Sequence, residues 1–150
     1  MPRMSLIAAL ITLALALQGG APFAADADTD EGFQIVVHPD VQGVQIPREA
    51  LSLIFLKQAP RWSDGSAVVP VDQSLRSAVR RRFSKKVLEE TIISVQSFWH
   101  KQMVSGVAPP PVKSSDQEVL SYVASTPGAI GYVSSEASVP SDVRAIIVID

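Results

Sequence analysis

The chain has 150 residues, 47% hydrophobic and 19% charged, with a formal net charge of −2. That supplies apolar material for one globular domain, and the charge balance gives no general attraction to nucleic acid or acidic membranes. The absence of cysteine excludes disulfides, thiolate metal sites and a lipidated-cysteine anchor, and the two histidines, His38 and His100, leave little for a transition metal. No cofactor or metal is expected.

In chain order, the first feature is "LIAALITLALAL" at 6–17, preceded by Arg3. The run is shorter than the ~20 residues of a membrane span and fits a signal-peptide core. Ala25-Asp26-Ala27 supplies a cleavage site, with cleavage at Ala24 or Ala25 as alternatives. The expectation is a signal peptide over 1–27, a single mature domain over 28–150, and a periplasmic or secreted product without stable membrane insertion. An uncleaved anchor is the alternative.

"FQIVVHP" at 33–39 is a β-branched run closed by proline and reads as a buried strand. "IPREALSLIFLKQ" places Pro47 at a first helical turn, with Leu51, Ile54 and Phe55 at helical spacing. Asp64-Gly65 marks a turn, and "AVVPV" after it a short strand. Ser74 then reads as the N-cap of a helix with an apolar seam at Leu75, Val79 and Phe83. A further helix is expected from about Glu89, with Ile92, Val95, Trp99 and Met103 on one face and Gly106 as its stop; Phe98 and Trp99 read as core.

"APPPVK" is a stiff connector. Ser115 and Glu118 form a capping box before Val119, Leu120 and Val123, "TPGAIGYV" turns into a strand, and "VRAIIVI" at 143–149 closes the chain. Alternating strands and helices predict an α/β three-layer sandwich around a mixed central sheet.

Three of these segments resemble phosphate-binding proteins of phosphate ABC transporters. "IFLKQAPRWSDGS" is similar to that family's "IF-x-G-K-x-x-x-W-x-D-G", "STPGAIGYV" to its "x-x-P-G-A-I-G-Y-V", and "IVVHPD" to the strand entering its second lobe. The resemblance implies a type 2 periplasmic binding fold, of which this chain supplies a single freestanding lobe. It also implies solute binding, where the family surrounds phosphate with "R-S-D-G-S-G-T".

That stretch falls on "PVDQSLR", residues 70–76, where Asp72 and Ser74 match. Pro70 replaces the arginine, Gln73 and Leu75 replace the glycines, and Arg76 stands for the threonine. Losing both glycines restricts backbone approach to an anion, while Arg76 offers a guanidinium nearby. Asp72, Ser74 and Arg76 are thus the candidate oxyanion site, with Ser74 a helix cap first and a ligand second.

Arg80, Arg81, Arg82, Lys85 and Lys86 form a dense basic run. It reads as a solvated helix exterior, with a docking face for an acidic partner or for anionic lipid as the alternative. No G-x-S-x-G elbow, P-loop or dinucleotide glycine pattern occurs, so an enzyme is not expected. The expected function is weak binding of phosphate or a similar oxyanion in transport or sensing. The alternative is a non-enzymatic module that has lost its solute and docks a protein partner through the former cleft face.

Overall fold

The computed structural model describes residues 32–150; the expected signal peptide and its cleavage site lie outside them. β1 (Phe33–Val37) is buried on both faces over its apolar run Ile35, Val36 and Val37. It runs antiparallel to β6 (Ala129–Ser134), pairing Ile35 with Tyr132, and antiparallel to β7 (Arg144–Ile149), pairing Ile35 with Ile146. β2 (Gln45–Pro47) lies parallel to β7 on one edge, and β3 (Val69–Pro70) parallel to β6 on the other. The sheet order is β2-β7-β1-β6-β3, and β4 (Asp72–Gln73) makes a separate parallel pair with β5 (Val112–Lys113).

Strand alternation divides the core into two clusters. Ile35, Val37, Ile130, Tyr132 and Ile146 face α1 (Arg48–Phe55), α2 (Ala78–Phe83) and the π-helical turn Ser84–Leu88 that continues α2. Val36, Ala129, Val133 and Val71 pack instead against Val119, Leu120 and Val123 of α4 (Asp116–Ser125). The expected three-layer sandwich with a mixed sheet is therefore the observed architecture.

The three segments that carry the family resemblance meet at one glycine. Gly128 adopts φ +78°, and a Cβ there would stand 2.3 Å from the Ala67 carbonyl oxygen, so only glycine fits. Its carbonyl accepts the Trp62 indole N–H at 3.0 Å, and its N–H donates to Asp40 at 3.2 Å. Gly131 answers to packing: a Cβ there would lie 2.8 Å from methyl groups of both Val119 and Val71. Asp40 also lies 2.7 Å from His38 Nδ1. Slight burial raises its carboxyl, but the Gly128 N–H and the His38 ring outweigh that and hold it below the ordinary value.

Several expectations need correction. The helix after β4 starts at Ala78, and its cap is Ser77, whose hydroxyl accepts the Arg80 N–H at 3.2 Å. Ser74 therefore does not cap it, and Leu75 lies outside the helix and 42% exposed, leaving Val79 and Phe83 to face the core. The next helix, α3 (Ile92–Val104), begins after Thr91, whose hydroxyl caps Ser94, rather than at Glu89. Val95 and Trp99 are buried on it, whereas Met103 is 57% exposed and off the buried face, and Phe98 is half-buried. Gly106, at φ +83°, stands two residues past its end, as expected. The proline connector ends in strand β5, so it also builds structure. The Ser115 cap of α4 is as read, with its hydroxyl accepting the Glu118 N–H at 3.2 Å.

Candidate functional site: the loop between β4 and α2

The loop 74–77 leaves β4 beside β5, where the Ser74 N–H donates to the Lys113 carbonyl at 2.9 Å. The Ser77 N–H then donates to the Ser74 carbonyl at 2.9 Å, and the Ser74 hydroxyl accepts the Arg76 N–H at 3.3 Å. Ser74 closes a local turn through its side chain, the use that serine commonly finds outside helices. Arg76 extends from this turn into solvent.

Beneath the loop lies a buried polar hub. Asp72 is buried, and its carboxylate accepts the Tyr132 hydroxyl and the Gln73 N–H, the latter at 2.8 Å. Arg80 Nη1 stands 2.8 Å from the other carboxylate oxygen and donates to the Gln73 carbonyl at 2.7 Å. Arg80 is only 5% exposed, which overturns the solvated reading of the basic run at this position. Its neighbours Arg81 and Lys85 are exposed, as expected.

Gln73 extends the hub. Its amide nitrogen donates to Asp116 and to the Tyr132 carbonyl, both at 2.9 Å, and its amide oxygen accepts the Ser77 hydroxyl at 2.8 Å. Asp116 in turn accepts the Ser134 hydroxyl at 2.6 Å. Gln73 thus brackets β4, α2, α4 and β6.

Burial pushes the Asp72 carboxyl up, against the pull of the Arg80 charge, the Tyr132 hydroxyl and the Gln73 N–H. Burial also raises the Tyr132 hydroxyl, and the adjacent Asp72 charge raises it further, so it remains a proton donor. The Tyr132 ring stacks on Phe83 at 4.0 Å between centroids, and Phe83 meets Phe55 edge-on at 4.6 Å. The main core thus fixes the hydroxyl that holds Asp72.

Of the three sequence-derived site residues, Ser74 and Arg76 share the exposed turn, while Asp72 lies below it with its oxygens turned to internal donors. Sequence reasoning missed Gln73, Arg80 and Tyr132 as the residues that fix the loop. The tyrosine of "PGAIGYV" was the available signal, since a buried tyrosine requires a partner for its hydroxyl. Arg81 was also missed: its Nη1 donates to the Arg76 carbonyl at 3.2 Å, laying a second guanidinium against the loop. Among the described residues no cluster of three His, Cys, Asp or Glu could hold a metal ion, and no helix is long and apolar enough to cross a membrane.

No protein-family profile matches the chain, and no curated protein sequence does. Solved structures do. An ABC-type phosphate transport receptor from Vibrio cholerae aligns with a TM-score of 0.63 at 22% identity over 79% of this chain and 46% of its own. PstS from Borrelia burgdorferi gives 0.62 at 15%, over 79% and 47%. A putative phosphate ABC transporter substrate-binding protein from Clostridium perfringens, solved with bound phosphate, gives 0.60 at 18%, over 79% and 45%. The chain spans less than half the length of each of these proteins. Its fold is that of one lobe of the type 2 periplasmic binding proteins that serve phosphate transport.

Proposed function

We propose that this chain is an exported, non-enzymatic binding lobe that takes phosphate or a similar oxyanion weakly at Ser74 and Arg76, in transport or sensing. The observation that carries this reading is the turn itself. It carries a hydroxyl and, two residues on, an exposed arginine, on a backbone that Arg80, paired with Asp72, holds through the Gln73 carbonyl. Asp72 belongs to the site as its support: Arg80 offsets its charge, so it repels an arriving anion less than a free carboxylate would. A guanidinium and a hydroxyl suit an oxyanion's acceptors. The turn carries no glycine, however, which limits backbone approach to the anion and hence affinity. In an NMR titration with phosphate and with sulfate, the amides of 74–77 are expected to shift progressively and to shift little in Ser74→Ala. Shifts centred elsewhere would move the site off this loop.

A second reading is favoured by one observation. Leu75 and Val112, 42% and 55% exposed, lie on the two segments joined by the Ser74–Lys113 backbone bond, where the resemblance implies the cleft face. Exposed apolar side chains at such a face suit protein docking.

A further inference from the structure

The docking face has a definite chemistry. Arg76 and Arg81 are exposed, and the Arg81 side chain leans back to donate to the Arg76 carbonyl, so the two cations flank one turn. Lys85, one turn beyond Arg81, is exposed as well. Glu89 and Glu90, exposed four and five residues past Lys85, temper the charge at that end, while the acids beside the turn have donors of their own. Asp72 is held by Arg80 and Tyr132, Asp116 by Gln73 and Ser134, and Glu118 by the Ser114 N–H at 2.7 Å. The outcome is a cationic ridge with exposed Leu75 next to Arg76 at its start.

We infer that this ridge docks an acidic segment of a partner protein that carries an apolar anchor residue. The anchor sits against Leu75, and the flanking carboxylates meet Arg76, Arg81 and Lys85. The inference rests on the docking reading above and adds the partner's chemistry to it. Charge complementarity alone would draw any polyanion, so the contact with Leu75 is what makes the site selective.

The test titrates the full chain, recovered from expressing cells, with two fluorescein-labelled peptides of mixed Glu and Asp. One has a central leucine and the other a serine in its place. The leucine peptide is expected to bind about tenfold more tightly, a difference of ~1.4 kcal/mol. Arg81→Gln with Lys85→Gln should weaken it about tenfold, as should salt of about 0.5 M. Leu75→Ser should reduce the leucine peptide to the level of the serine one. Equal binding of the two peptides, indifference to the double substitution, or a preference for phosphatidylglycerol vesicles over the leucine peptide would overturn the inference. A photo-crosslinker placed at Leu75 in living cells separates the two levels. Adducts without peptide binding leave the docking reading standing and remove the acidic-segment chemistry, while the absence of both removes both.

Discussion

Arg80 stands between exposed basic residues, yet its guanidinium meets the buried Asp72 carboxylate at 2.8 Å. Removing one partner of such a pair leaves a charge in a dry site, so Arg80→Met is expected to cost about 3–5 kcal/mol near pH 8. The cost should shrink towards pH 4. Burial already raises the Asp72 carboxyl above its ordinary 3.8, so the folded state holds that proton better than the unfolded chain. Stability from this group is fully present below the unfolded value and is lost as pH rises through the raised folded value. Once Arg80 is gone, the neutral acid is the tolerable form. Urea denaturation of both proteins across this range checks the sign; a cost that grows towards pH 4 would contradict it. The charge run by itself did not reveal this inward turn, because it depends on Asp72, eight residues earlier and fixed by Tyr132 from β6.

At the scale of elements, the loop before α2 divides the work of two serines three residues apart. Both serines favour a helix start, and local preference does not choose between them. The choice is made by Gln73, whose amide oxygen draws in the Ser77 hydroxyl, and by β5, whose Lys113 carbonyl engages the Ser74 N–H. Ser77→Ala should therefore cost ~1 kcal/mol of stability as a lost cap, and more if the Gln73 contact weakens with it. Ser74→Ala should cost clearly less in the same thermal melts, and the reverse order would restore Ser74 as the cap. Strand β6 offers a second check. Gly131→Ala would press a methyl on Val119 and Val71, and overpacking of this kind costs about 1–3 kcal/mol. A neutral Gly131→Ala would mean that α4 sits further from the sheet than the structure has it.

Over the whole molecule, the parts legible in the sequence were those where the backbone itself constrains residue choice. Gly128 must be glycine, Trp62 and Asp40 bind its two backbone groups, and so three separated motifs marked a single junction. The layers followed from the alternation of strands and helices along the chain. Less legible was the boundary of α3, where Thr91 rather than Glu89 sets the start and Met103 falls off the buried face. The candidate site was half legible. Ser74 and Arg76 were identifiable by position, but the support under them comes from side chains that tertiary contacts bring together.

The proposal that the loop between β4 and α2 holds a weak oxyanion site is most directly tested by calorimetric titration of the protein with phosphate, alongside Arg76→Ala. An exposed turn with no glycines, the Arg76 guanidinium and the Arg81 guanidinium laid against it should bind with a Kd near millimolar, equivalent to ~4 kcal/mol. Arg76→Ala should weaken that by about 1.5–3 kcal/mol, the worth of a charged hydrogen bond, and so remove measurable heat. Micromolar phosphate affinity, or binding that survives unchanged in Arg76→Ala, would contradict the account.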